Sequence, residues 1–255
     1  VKELLASMYE SGGRVIDTAA LYGGSEEVIG QALDELGQQN DFFVATKFNA
    51  AGAQFNGPLR EPRADEITAA ASFERSLEWL RGDRVDLLFA HFVSSVDATM
   101  PLMLDLKESG RARYIGITSV QSSQYPDVIA HMKKYPIDFL QIDYSLGNRD
   151  AADEVLPLAA DLGIAVMVAV PFGGGRNSLF AATRGTAVPV WAAEFGAKTW
   201  GQLFLKYVIA QKAVTCVIPG TTDVAHMADN QVAGRGSVPD EAQLRRLESY
   251  WDSMA

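Results

Sequence analysis

Val85-Asp-Leu-Leu-Phe-Ala-His-Phe92 is a short run in which both alternating sets of positions are mostly apolar. A strand wetted on one face would alternate, whereas a parallel strand covered on both faces has no need to. The run therefore reads as a buried parallel strand. Six others resemble it: Arg14-Val-Ile-Asp-Thr18, Phe42-Phe-Val-Ala-Thr-Lys-Phe48, Ala112-Arg-Tyr-Ile-Gly-Ile-Thr118, Asp138-Phe-Leu-Gln-Ile-Asp-Tyr144, Ala165-Val-Met-Val-Ala-Val170 and Val214-Thr-Cys-Val-Ile218. Amphipathic stretches lie between them. Ser25 to Leu36 has Ser25 as candidate N-cap, Glu26 and Glu27 in the first turn, and Val28, Ile29, Ala32, Leu33 and Leu36 at helical spacing. Ala64 to Leu80 repeats the pattern with Ile67, Ala70, Phe73, Leu77 and Leu80.

Strand and helix alternate without a linker or a shift in composition, which leaves one barrel or one doubly wound sheet. A doubly wound dinucleotide fold should show GxGxxG directly after its first strand, and none follows Val15-Ile-Asp-Thr. The expectation is an α/β fold, a (β/α)8 TIM barrel. The 255 residues are 48% apolar and 21% charged, enough to bury a core without a staple. The single cysteine, Cys216, excludes an internal disulfide and a cysteine zinc site, and no metal is expected. Twenty-two basic against 32 acidic residues give −10, which repels phosphate backbones and anionic leaflets alike. Neither nucleic acid nor membrane is an expected partner, and no apolar run approaches the roughly 20 residues of a membrane span.

In a (β/α)8 barrel the chemistry sits at the C-terminal ends of the strands. Asp17 ends the first run, Tyr22 follows in its exit loop, Lys47 ends the second and His91 the third. Singly, each has an ordinary explanation: a cap, a packed aromatic, a snorkelling lysine, a satisfied core histidine. Together they converge on one mouth. A lysine between Thr46 and Phe48 needs a counter-charge, and Asp17 on the neighbouring strand is the candidate. Lys47 would lower the pKa of Tyr22, while His91 could hydrogen-bond a carbonyl oxygen beside the phenol. Such a set can protonate an alkoxide as hydride arrives at carbon.

These residues resemble the aldo-keto reductases, and the resemblance spans essentially the whole chain. Ile16-Asp-Thr-Ala-Ala-Leu-Tyr-Gly-Gly-Ser-Glu-Glu-Val-Ile-Gly30 is similar to the family signature, with Lys47 in Ala45-Thr-Lys and His91 in Leu88-Phe-Ala-His. The resemblance implies a catalytic tetrad of Asp17, Tyr22, Lys47 and His91, with Tyr22 the general acid in reduction of a small-molecule aldehyde or ketone. It implies NADPH as cofactor, with NADH possible. Thr118, Ser119 and Gln141 would hold the nicotinamide carboxamide. Pro171-Phe-Gly-Gly-Gly-Arg176 and Pro219-Gly-Thr-Thr-Asp223 leave the last two strands, where a barrel usually keeps its phosphate site. There Phe172, Gly173, Gly174, Gly175, Gly220, Thr221, Thr222 and His226 would meet the nucleotide, with Asp229 and Asn230 facing its adenine. Phe172 is a candidate cover for the nicotinamide ring.

The chain also departs from the family pattern. Phe92 follows the histidine where many relatives have Asn or Trp; Ala169 replaces an aromatic that stacks on the nicotinamide, and Val170 a common serine. These changes leave open a nucleotide-binding, redox-responsive regulatory or interaction subunit with little turnover. A lyase or isomerase forming a Schiff base on Lys47 is a third reading. The stretch from Ser178 to Phe195, with Trp191 and Trp200, reads as an aromatic mini-core or as a flap over the cofactor, and His131 as a solvated helix residue. Residues 1–255 read as one barrel domain lacking its first strand, so the native product is expected to extend upstream by a strand and turn. A cytoplasmic location is expected, although an export signal would lie in that upstream segment. Oligomeric state is not set by the sequence.

Gly220 and His226 stand where many relatives carry Lys and Arg, so two fixed positive charges for a 2′-phosphate are absent. Histidine, with a reference pKa of about 6.5, is mostly neutral at pH 7. We predict a modest preference for NADPH over NADH that widens as pH falls from 8 to 6. Dissociation constants for both nucleotides at the two pH values check this, and a large preference that stays flat contradicts it.

Overall fold

A computed structural model describes residues 1–174 and 178–254, so Gly175 and Arg176 lie outside the described residues. Seven parallel strands, β1 (Val15–Asp17), β2 (Phe43–Phe48), β3 (Val85–Ala90), β4 (Ala112–Ser119), β5 (Phe139–Asp143), β6 (Ala165–Ala169) and β7 (Val214–Val217), pair in strict sequence order. Unreversed order is what a barrel wall requires, because each right-handed βα unit adds its strand on the same side; a doubly wound sheet would reverse. The wall is open between β1 and β7, the two edges of the sheet.

Strand alternation sorts the side chains onto two faces. Ala45, Leu87, Phe89 and Met167 form a core inside the wall, flanked by Val15, Phe43, Tyr114, Phe139, Cys216 and Ile218. Their strand neighbours, among them Ile16, Leu88, Ile117, Leu140, Ile142, Val166 and Val168, join the larger core under the helices. Both faces are apolar, which explains the unbroken runs. Gly116 is the inward residue beside Phe89: a Cβ there would stand 2.6 Å from that ring and 2.5 Å from the Phe139 carbonyl oxygen. Only glycine leaves the ring its place.

The helices include α1 (Lys2–Glu10), α2 (Ser25–Leu36), α3 (Ala69–Leu80), α4 (Val96–Glu108), α5 (Tyr125–Lys134), α6 (Val155–Leu162), α7 (Leu179–Ala182), α8 (Trp200–Ile209), α9 (Val224–Ala233) and α10 (Glu241–Asp252). None among the described residues is long and apolar enough to cross a membrane. Two helix starts differ from the sequence expectation. Gly24, not Ser25, is the N-cap of α2, because the Ser25 hydroxyl accepts from Thr18 Oγ1 at 3.0 Å and so joins the exit of β1 to the helix. Helix α3 begins five residues later than expected, capped by Thr68, whose hydroxyl accepts from Ala71 N. The preceding residues are gathered instead around the Glu66 carboxylate, which accepts from the Gly52 and Arg63 amides and pairs with Arg60. His131 is also less solvated than expected: its side chain is 12% exposed and its Nδ1 lies 3.6 Å from Asp97 Oδ1.

Candidate active site

The inner face changes character along the strands. Near the strand starts it carries the touching rings of Phe43, Tyr114 and Phe139; toward the strand ends it carries Asp17, Lys47, Thr118 and Gln141. Lys47 is 1% exposed, and its ammonium donates to Asp17 Oδ2 at 2.6 Å and to the Thr18 carbonyl oxygen at 2.9 Å. Burial holds the Lys47 pKa below its usual value, against the opposing pull of Asp17. The second oxygen of Asp17 accepts from Gln141 Nε2 at 2.8 Å, and Gln141 Oε1 accepts from Thr118 Oγ1 at 3.1 Å. Four strands are thus joined at one layer.

Tyr22, on the loop after β1, and His91, just past β3, face each other across this layer with ring centroids 5.6 Å apart at 81°. Lys47 Nζ lies 5.1 Å from the Tyr22 ring centroid. Tyr22 is half exposed, and the partial burial of its ring, followed by the Asp17 carboxylate, pushes the phenol up to about 12. This differs from the lowering expected of Lys47, whose charge is matched by Asp17 in direct contact. Tyr22 therefore holds its proton throughout the neutral range. Burial, followed by the Lys47 charge, pushes His91 down to about 4, so its imidazole is neutral there. His91 Nδ1 is buried without a partner among the described residues.

Asp17, Tyr22, His91, Thr118, Ser119 and Gln141 line one cavity of about 580 Å³, shared with Ala169 and Val170. Val170 leaves β6 at φ +53°, a conformation β-branched residues rarely adopt. A second cavity, of about 440 Å³, is lined by Phe172, Gly220, Thr221, His226, Asp229 and Asn230. Phe172 belongs to this cavity, against Phe180 at 4.9 Å, and not to the one in front of Tyr22. Phe180, Thr199, Trp200 and Gly201 also line it. The 178–195 stretch is not the separate mini-core expected: Leu179, Ala192 and Phe195 join the large core under the helices, while Phe180 packs on Phe172 and Phe204 and forms part of the cavity wall. Thr222, Gly173 and Gly174 border the two exits without lining either cavity.

The expected phosphate donors at the start of α9 are already engaged. Asp223 caps this helix, its Oδ1 accepting from the Ala225 and His226 amides at 2.7 and 3.0 Å. An anion arriving there meets a carboxylate on the same donors. Asp229 is likewise held, by Thr199 Oγ1 and Gln202 Nε2, both at 2.7 Å. Sequence reasoning missed Leu21, Phe55, Val120 and Gln124 in the first cavity; they sit in exit loops with no pattern of their own.

A parallel barrel wall whose C-terminal mouth gathers a paired lysine, a tyrosine and a histidine over one cavity defines a barrel oxidoreductase site. The Aldo/keto reductase family model matches residues 1–252, and the chain belongs to that family. It is similar to the aldo-keto reductase str7 of Strobilurus tenacellus, 29% identical over 278 residues, covering 96% of this chain and 80% of that protein. Among solved structures it resembles an aldo-keto reductase from Bacillus halodurans in its holo form, at TM-score 0.76 and 23% identity, covering 98% of this chain and 86% of that one. One from Klebsiella pneumoniae, in complex with NADPH, aligns at TM-score 0.74 and 22% identity, covering 98% and 84%.

Neutral His91 makes the native state refuse a proton that the unfolded chain accepts at about 6.5. Its depressed pKa therefore contributes stability above pH 6.5, lost as pH falls toward about 4. With these values the loss between pH 8 and 5 is about 2 kcal/mol. Urea unfolding of the wild type and His91→Asn at both pH values should show this component only in the wild type; equal pH dependence in both contradicts it.

Proposed function

We propose that the protein reduces an aldehyde or ketone to the alcohol, using NADPH in modest preference to NADH, with Tyr22 as general acid. The observation that carries this reading is the buried Lys47–Asp17 pair under Tyr22, with Tyr22 and His91 opening on the same cavity. Tyr22, protonated at neutral pH, donates to the carbonyl oxygen as negative charge develops there. Lys47, 5.1 Å from the ring, stabilises the phenolate left behind, and Asp17 keeps the ammonium charged and in place. Neutral His91 orients the carbonyl by a hydrogen bond.

A nicotinamide nucleotide, when bound, supplies the hydride. The residues present fit such a group: Thr118, Ser119 and Gln141 present buried hydroxyls and an amide beside Tyr22, and the second cavity extends past Gly220 toward Asn230. Thr118, Ser119 and Gln141 would hold the carboxamide. Phe172, Thr221, His226 and Asn230 would hold the adenosine end, with Gly173, Gly174 and Thr222 along the exits. Asp223, already on the α9 amides, accounts for a weak discrimination of the 2′-phosphate.

Tyr22→Phe removes the proton donor and nothing that holds the nucleotide. Turnover of a carbonyl panel is expected to fall at least about a hundredfold. Nucleotide affinity, by calorimetry, should stay within about twofold of the wild type. A variant that keeps most of the wild-type turnover refutes Tyr22 as the acid.

A further inference from the structure

The cavity in front of Tyr22 continues outward along an aromatic wall. The Phe92 ring lies flat on His91, centroids 4.8 Å apart at 6°, and meets the Phe55 ring edge-on at 6.3 Å and 79°. Leu21, Val120, Ala169, Val170 and Ile218 complete the apolar lining. Phe55 sits half exposed on the loop between β2 and α3, yet its backbone is held. Its carbonyl oxygen accepts from Gln124 Nε2 at 2.8 Å and from Gln121 Nε2 at 3.0 Å, both just past β4. Gln124 Oε1 in turn accepts from Ser119 Oγ at 2.8 Å. The polar groups of this wall are thus bonded to one another, and no Lys or Arg lines the cavity among the described residues.

We propose that the cavity selects uncharged aryl aldehydes and ketones over anionic ones. Phe55 and Phe92 determine this specificity, and Gln121 and Gln124 position Phe55. The proposal rests on the carbonyl-reductase reading above. An aryl ring whose carbonyl reaches Tyr22 and His91 extends the stack begun by His91 and Phe92 and meets Phe55. A carboxylate or phosphate on that ring would give up hydration against walls that hold no cation among the described residues, with the Asp17 carboxylate also lining the cavity.

The test compares methyl 4-formylbenzoate with 4-formylbenzoate, which differ mainly in charge, alongside propanal. The ester should exceed the carboxylate in kcat/KM at least about thirtyfold, about 2 kcal/mol. Phe55→Ala should raise KM for the ester about tenfold more than for propanal. Gln121→Ala with Gln124→Ala should shift the same ratio in the same direction. Binding of the alcohol product, methyl 4-(hydroxymethyl)benzoate, followed by ligand-observed NMR, should weaken in parallel. Equal use of ester and carboxylate, or equal effects of Phe55→Ala on ester and propanal, overturns the proposal and leaves the reductase reading intact. Failure of all three carbonyls in the folded protein overturns that reading, and this proposal with it.

Discussion

Lys47 carries its ammonium to a position where 1% of the side chain meets solvent. An isolated buried charge costs several kcal/mol, so the fold can keep it only with a paired anion and satisfied donors. Asp17 at 2.6 Å and the Thr18 carbonyl at 2.9 Å meet that demand, and both belong to β1 or its exit. The pair therefore fixes the end of β1 against β2 and leaves one carboxylate oxygen to be satisfied. Gln141 reaches that oxygen from β5 and is itself bonded to Thr118 on β4. Burial is the larger reason that His91 is neutral and Tyr22 protonated, and the same pair adds to both: the Lys47 cation disfavours a second one on His91, and the Asp17 carboxylate disfavours a phenolate.

The wall makes this arrangement possible by dividing the inner face by depth. Near the strand starts the rings of Phe43, Tyr114 and Phe139 touch; Leu87, Phe89 and Met167 are fully buried inside the wall; Asp17, Lys47, Thr118 and Gln141 lie toward the strand ends. Water is excluded from below, so the ionic contacts at the mouth act in a low dielectric, where they are worth more than in solution. Gly116 belongs to this scheme because the Phe89 ring occupies the space its side chain would need.

Much of this was legible in the sequence, for a physical reason. A strand buried on both faces must be apolar throughout, so an ionisable residue at its end stands out; Asp17, Lys47 and His91 were visible on that ground. The absence of a dinucleotide motif favoured a barrel over a doubly wound sheet, and the strands pair in the sequential order a barrel wall requires. What stayed illegible depends on contacts between distant segments. Ser25 looks like a cap until Thr18 claims its hydroxyl, and the start of α3 looks helical until Glu66 gathers the loop around itself. Phe55 and Gln124 carry no local pattern; only the turn after β4, reaching back to the loop after β2, brings them together. The hold of Asp223 on the Ala225 and His226 amides of α9 likewise had no sign in the sequence reading.

In the proposed mechanism Asp17 and Lys47 act as one unit in supporting proton donation by Tyr22. A double-mutant cycle with Asp17→Asn and Lys47→Met, read as the single-turnover rate of carbonyl reduction at saturating nucleotide, tests it directly. Either substitution alone is expected to remove most of the rate, with the double variant no slower than the slower single one. Losses that simply add, or a Lys47→Met protein that keeps the wild-type rate, would contradict it.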